Sequence, residues 1–289
     1  MLTAGYIGLR GIHFAAVMLL FGCALFISRL APRHLQPVMV TRFTLLTRIC
    51  LGMSMLSAVF MFALQGGIMG DGWTDVFSPQ IWLLLTGTQF GSIWLWQIII
   101  AVMTMLVGYL QPQQQGRLML LAGAQLLLMA GVGHAAMHDG MAGILQRTNH
   151  AFHLLCAAAW FGGLLPVIFC MRLSQARRRD HAVMAMMRFS RYGHVAVAGV
   201  LATGIINTLL IQGSMWSTQT NYGRMLLIKC ALVALMVAIA LANRYVLVPR
   251  LGLKNSQARH FLIWMTWTEV VLGALVLAAV SLFATWEPF

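Results

Sequence analysis

The chain has 289 residues, of which 60% are hydrophobic and 9% are charged. A soluble domain carries about 25% charged residues, so this composition excludes an ordinary soluble protein. In a soluble chain, the net charge of +13 would suggest a nucleic-acid partner. The distribution of the charges along this chain argues against nucleic acid.

Long apolar segments follow one another from end to end. Runs of about 18 or more apolar residues with few charges predict transmembrane helices, and the bilayer forces such runs to satisfy their backbone hydrogen bonds internally. The sequence contains eight: 7–27, 45–65, 93–110, 118–136, 151–171, 195–211, 225–248 and 261–283. The predicted fold is therefore all-α, a polytopic membrane protein built as a bundle of eight transmembrane helices, with one domain over 1–289.

Basic residues collect at one end of this predicted bundle. Of the 19 Lys and Arg residues, 15 flank the first, third, fifth and seventh loops, whereas four of the six acidic residues lie at the opposite end. This is the positive-inside bias, and it predicts that both termini are periplasmic in a bacterial inner membrane. The positive charge thus reflects topology and contact with membrane lipid, and we expect no nucleic-acid partner.

Five of the nine histidines fall near the predicted outer ends of helices. His13 lies in the first helix, His134 and His138 lie around the end of the fourth, and His150 and His153 open the fifth. Because they are three residues apart, His150 and His153 share one helix face. Ionisable side chains at membrane depth are costly, so their clustering on one side indicates a functional site.

Methionine adds a softer ligand to this group. Met137 lies between His134 and His138, and imidazole together with thioether favours Cu(I) over hard cations. The sequence therefore predicts a periplasmic-face metal site with these ligands: His13, His134, His138, His150, His153 and Met137. Two alternatives stay open, namely interfacial histidines bonded to loops or water, and a proton relay.

Five further polar or aromatic side chains lie inside the apolar runs: Trp160, Asn207, Lys229, Asn243 and Glu269. They predict either hydrogen bonds that hold the helices together or an internal polar path through the bundle. The estimated depths of Lys229 and Glu269 differ by roughly 10 Å, which leaves a direct ion pair between them open.

Several short motifs occur in a fixed order along the chain: GHA at 133–135, HxxH with AAWFGGL in 150–165, FSRYG at 189–193, TGIIN at 203–207, YGRMLLIK at 222–229, ANRY at 242–245 and the late Glu269. Together they resemble the CopD/PcoD family of bacterial copper-resistance membrane proteins, in the branch that lacks a fused periplasmic copper-binding domain. The resemblance implies copper handling at the inner membrane, with a small periplasmic copper-binding partner of the CopC type.

Three hypotheses of function follow. In the first, which we prefer, the outer site captures copper and the ion passes inward, so the protein is a transporter or binding protein rather than an enzyme. In the second, haem b is held between His13 and His150 or His153, and the protein reduces Cu(II). In the third, the protein is a scaffold that docks a periplasmic partner on the long second loop around 73–77.

Overall fold

The computed structural model describes residues 1–133, 140–173, 179–212, 220–248, 256–283 and 286, and all regular secondary structure within these ranges is helical. In chain order the α-helices are α1 (Leu2–Leu25), α2 (Gln36–Met69), α3 (Pro79–Thr86), α4 (Gln89–Leu110), α5 (Gln115–Met129), α6 (Gly140–Leu173), α7 (Arg179–Gln212), α8 (Asn221–Ala242) and α9 (Ser256–Phe283). Two of them, α1 and α8, continue into π-helical turns at Phe26–Leu30 and Asn243–Leu247.

Seven of the described helices are long and apolar enough to cross a membrane, which confirms the predicted all-α membrane architecture. The exceptions are α3, in the long second loop, and α5. At 1.5 Å per residue the 15 residues of α5 extend about 22 Å, less than the ~30 Å hydrocarbon core. The run predicted as the fourth span, 118–136, covers most of α5 and continues outside the described residues, so a count of eight spans stays a prediction.

Local sequence signals set several helix starts. Pro37 occupies the first turn of α2, where the missing N–H would have had no helical partner in any case. The Thr88 hydroxyl accepts a hydrogen bond from the Gly91 N–H at the start of α4, and Thr220 caps α8 in the same way through Gly223. Each cap satisfies one of the N–H groups that the first helical turn leaves free.

Different helix ends meet at the two ends of the bundle. At one end a single apolar cluster joins the end of α1, the start of α2, the end of α6 and the starts of α7 and α9, represented by Phe26, Met39, Cys170, Ala185 and Leu262. At the other end the Ser281 hydroxyl of α9 donates to the carbonyl of Ile7 in α1. The first and last helices therefore begin and end on one side, which is compatible with both termini lying in the periplasm.

α1 and α6 cross at backbone contact. A Cβ atom added to Gly22 would lie 2.4 Å from the Ala158 carbonyl oxygen and 2.5 Å from Gly162 Cα. A Cβ atom on Gly162 would lie 2.4 Å from the Met18 carbonyl oxygen, and the Cys23 thiol donates to the Gly162 carbonyl at 3.4 Å. Small residues allow such close approach between membrane helices. This crossing joins the α1, α2, α4 and α5 half to the α6–α9 half.

Candidate functional site

The strongest pair of predicted ligands lies on α6. The rings of His150 and His153 are stacked, with centroids 6.2 Å apart and planes inclined by 11°. This confirms that the two histidines share one helix face. Both rings are turned towards α7, where Thr203 and Asn207 are their partners.

The hydrogen bonds of His153 decide which ring nitrogen is available. The Thr203 hydroxyl donates to the Gly199 carbonyl at 2.5 Å, so towards His153 Nδ1, at 2.9 Å, it acts as an acceptor. This assigns the proton of His153 to Nδ1. The backbone of Val200 also hydrogen-bonds with this ring, and its carbonyl accepts only from a protonated nitrogen. No side chain within the described ranges hydrogen-bonds to Nε2, so Nε2 is the nitrogen left for a ligand. Holding one imidazole nitrogen in this way is how proteins orient metal-binding histidines.

A polar seam between α6 and α7 supports the pair. Asn149 donates to the Thr203 carbonyl at 3.0 Å and to Asn207 Oδ1 at 2.9 Å. Because Asn207 Oδ1 is occupied by Asn149, its Nδ2 faces His150 Nδ1 across a longer contact of 3.4 Å. Asn207, predicted as a polar membrane position, thus has an interhelical role beside His150.

Two positive charges lie near this pair. Lys229 of α8 interacts electrostatically with both His150 and His153, and Arg10 of α1 interacts with His150. Both charges oppose the approach of a cation, so an ion bound here is held less tightly than by the same ligands without them.

Below the pair, a cavity of about 240 Å³ opens between α6, α7, α8 and α9. It exists because α7 packs mainly on α6 and α8 packs mainly on α9, which leaves a space between α7 and α8. Most of the wall is aliphatic and aromatic. The polar and sulfur-containing side chains of the lining are these: His153, Trp160, Thr208, Lys229, Cys230, Met18 and Met236.

His13 lies in a different environment from the α6 pair. It is fully buried, and its Nδ1 lies 2.9 Å from Ser57 Oγ and 3.2 Å from the Ser54 carbonyl, while its Nε2 accepts from Gln97 at 2.8 Å. Gln125 extends the network through its 2.8 Å bond with Ser54 Oγ. Both ring nitrogens are therefore occupied by protein groups of α2 and α4, and the structure does not bring His13 to His150 and His153.

The other predicted ligands, His134, Met137 and His138, lie outside the described residues. The preceding residue Gly133 is near the Arg10 guanidinium, and Arg10 in turn interacts with His150, so this last described residue lies at the end of the bundle that holds the α6 pair. Within the described ranges, no group of three His, Cys, Asp or Glu side chains converges as a metal site. The metal-ligand set stays a prediction.

Glu269 and Asn243 form a second polar cluster on the other side of the cavity wall. Asn243 Nδ2 donates to Glu269 Oε1 at 2.7 Å, and Trp160 also acts on this carboxyl as a side-chain hydrogen-bond donor. Asn243 opens the π-helical turn after α8. The ion pair with Lys229 that the sequence left open is not what the structure shows at Glu269: Asn243 lies against the carboxyl, whereas Lys229 lines the cavity.

Comparison with known proteins decides the family. Residues 1–144 match the family described as copper resistance protein D-like, N-terminal domain, and residues 183–283 match copper resistance protein D. The chain belongs to the copper resistance protein D family. It is 51% identical over 290 residues to "Inner membrane protein YebZ" of Escherichia coli (strain K12), with 100% of both chains covered.

A second member of the copper resistance protein D family, "Copper resistance protein D" of Pseudomonas syringae pv. tomato, is 31% identical over 258 residues, covering 84% of this chain and 82% of the relative. No solved structure shows a significant match. The predicted resemblance is thus confirmed, and so is the location: this family member is a multi-pass inner-membrane protein related to copper.

Some site residues were missed by sequence reasoning. Gln97 and Gln125 surround His13, while Asn149 and Thr203 orient the α6 pair. The sequence did contain a signal for the two glutamines, because a side-chain amide in an apolar span needs a hydrogen-bond partner inside the bundle. Thr203 gave no such signal, since a threonine hydroxyl can bond to its own helix.

Proposed function

We propose that this protein binds copper at the periplasmic end of its helices and passes the ion across the inner membrane along the cavity between α6, α7, α8 and α9. The observation that carries the proposal is the His150–His153 pair at that cavity, with the His153 Nε2 lone pair left for a ligand. Membership of the copper resistance protein D family supports copper as the ion.

Capture at the outer end would rest on imidazole and thioether groups. His150 and His153 supply two imidazoles, and we propose that His134, Met137 and His138 complete the ligand set from the segment after Gly133. Mixed nitrogen and sulfur donors suit Cu(I), whereas Mg²⁺ and Ca²⁺ require oxygen. His13 has no nitrogen to offer without breaking its own network, so we assign it a structural role.

Passage would follow the sulfur-containing wall of the cavity. Met18, Met236 and Cys230 line it together with His153, and soft thioether and thiol groups interact favourably with Cu(I). Conduction requires binding that is favourable enough for entry and weak enough for release. The positive charge of Lys229 beside the histidines lowers the affinity of the site for the ion, which favours its release into the cavity.

The test is copper binding by the purified protein and by a variant with His150→Ala and His153→Ala. Loss of a group that only orients a metal ligand costs about 10–100-fold in metal affinity, so removing two ligands should weaken copper binding by at least about 100-fold. Equilibrium dialysis with metal analysis measures this. The matched control is His34→Ala, an exposed histidine whose ring is tilted against that of His181 at the opposite end of the bundle.

Wild-type copper binding in the double variant would contradict the proposed site. Iron in place of copper would favour the haem b alternative. That alternative needs two axial histidines on opposite faces of the haem. His13 is enclosed by side chains of other helices, and His150 stacks beside His153 on one helix face, so the arrangement of these three histidines does not favour that alternative.

We also propose that a CopC-like periplasmic carrier delivers the ion. Trp73 and Phe77 of the second loop are 61% and 67% exposed at the end of α2, which offers apolar contact to a partner. In a variant with Trp73→Ser and Phe77→Ser we expect copper transfer from a loaded carrier to slow about tenfold or more, because exposed aromatic residues dominate such contacts. Binding of free copper should be unchanged. Equal transfer rates would remove the loop from the docking surface.

A further inference from the structure

We propose that Glu269 is a proton-binding site whose proton is released when a cation enters the cavity above it, so that copper and protons exchange. The inference rests on the proposed function for its cation, and it adds a second ligand, the proton, at a separate cluster.

The carboxyl is isolated from positive charge. Glu269 is 3% exposed and Asn243 is 8% exposed. Two neighbouring helices place a side chain against the Glu269 carboxyl: α6 contributes Trp160 and the end of α8 contributes Asn243. The contact of α1 with Ser281 lies 12 residues, about 18 Å, further along α9 from Glu269. Arg244 is turned to Ser190 on α7, and Lys229 lies in the cavity. Within the described ranges no charged side chain neutralises Glu269.

The hydrogen bonds of the pair are complete only with a proton. Asn243 Nδ2 donates to Glu269 Oε1, while Asn243 Oδ1 is buried without any donor. A neutral carboxylic acid carries one O–H donor beside its acceptor oxygen. It can therefore donate to Asn243 Oδ1 and accept from Asn243 Nδ2 at once, as two reciprocal bonds. The ionised carboxylate would leave the amide oxygen unsatisfied next to a negative charge, at a cost in the membrane interior.

The donor set does not suit the proposed cargo. A carboxylate oxygen and an amide oxygen are hard ligands, whereas Cu(I) is selected by thioether, thiolate and imidazole. Hard metal ions take about six oxygen ligands, and this cluster offers two side chains. A proton needs only one oxygen, so the proton is the ligand that fits.

Trp160 connects the cluster with the cavity. Its indole lines the cavity and acts on the Glu269 carboxyl, and Gly273, one turn further along α9, lines the cavity as well. A cation in the cavity and a proton on Glu269 therefore neutralise the same negative charge, and in surroundings of low dielectric constant each disfavours the other. As Cu(I) enters, the O–H bond of Glu269 breaks and its proton passes to water, so one positive charge replaces another without any redox change.

The test is infrared difference spectroscopy of the full-length protein, which resolves the carbonyl stretch of protonated carboxyl groups. The chain has only six Asp and Glu residues, so the bands can be assigned by substitution. Glu269→Gln is the main variant, since a glutamine amide makes the same two reciprocal bonds with Asn243 and keeps the fold. Asp180→Asn, an exposed acid at the start of α7, is the matched control.

In a pH titration without metal, the wild type and Asp180→Asn should show the band of a carboxylic acid in apolar surroundings. Glu269→Gln should not show this band. Its absence in the wild type would overturn the proton site. On addition of Cu(I), the wild-type band should disappear in proportion to the copper bound, with one proton released per ion to a pH dye. Glu269→Gln should bind copper at the outer site and release no proton from this group.

The outcomes separate the two proposals. A persistent band with copper bound at the α6 pair would overturn the coupling and leave the copper site standing. If the wild type binds no copper, the proposed function fails and the copper–proton exchange fails with it. A carboxylic-acid band that titrates with pH and is absent from Glu269→Gln would still assign a proton to Glu269.

Discussion

Replacement of Gly22 by alanine is expected to prevent the protein from folding. The new Cβ atom would lie 2.4 Å from the Ala158 carbonyl oxygen and 2.5 Å from Gly162 Cα, and neither is the movable end of a side chain. Relief requires that α1 and α6 separate along their crossing. We expect a loss of more than about 4 kcal/mol, which is in the range of exceptional single substitutions. The measurement is the yield and thermal unfolding of detergent-purified protein.

Gly52→Ala is the matched control for this effect. Gly52 lies in α2 with nothing within 4 Å of an added Cβ atom, and alanine favours a helix over glycine by about 1 kcal/mol. This variant should be as stable as the wild type or slightly more so. If Gly22→Ala unfolds at the wild-type temperature, α1 and α6 do not cross at backbone contact.

The crossing at Gly22 also positions the site. α6 carries His150, His153 and Trp160, whereas α1 carries Met18 of the cavity wall. The two matched family regions, 1–144 and 183–283, leave most of α6 between them. Close contact at Gly22 and Gly162 therefore holds the helix with the proposed ligands against the half of the bundle that contains His13.

The sequence predicted the helical elements well because hydropathy over a long window reports burial in the membrane. Seven predicted spans correspond to helices long enough to cross, and the three-residue spacing placed His150 and His153 on one face. The fourth predicted span overlaps α5, which has 15 residues because turns begin after Met129, and residues 134–136 of that span lie outside the described residues. Hydropathy does not distinguish an apolar turn from an apolar helix.

The partners of the polar side chains were beyond the sequence. These helices are apolar on nearly all sides, so no polar stripe indicates which face meets which neighbour. The place of His13 near the outer end of the first helix was predicted, but its pairing with Ser57 and Gln97 depends on how α1 packs on α2 and on how far the Gln97 side chain reaches from α4. Asn243 meets Glu269 at the start of a π-helical turn, which changes the helical register by one residue and leaves no mark in composition.

Replacement of His13 by alanine is the second change with a large expected effect. It removes the acceptor of Gln97 and the partner of Ser57 in a fully buried site, where Gln97 Oε1 is already without a donor. Each buried polar group left unsatisfied costs about 1–3 kcal/mol, and the new cavity adds to that. We expect the free energy of unfolding to fall by about 3–5 kcal/mol.

The same variant separates a structural histidine from a ligand. If His13 only holds α1, α2 and α4 together, the folded fraction of His13→Ala should bind as much copper per chain as the wild type. The variant with His150→Ala and His153→Ala should show the opposite result. It should unfold nearly as the wild type does, because those rings are only partly buried, but it should lose its copper. Thermal unfolding and copper analysis of the same monodisperse fractions give both quantities. A stable His13→Ala protein with less copper per chain would instead return His13 to the ligand set and require that its ring leave Gln97 when the ion binds.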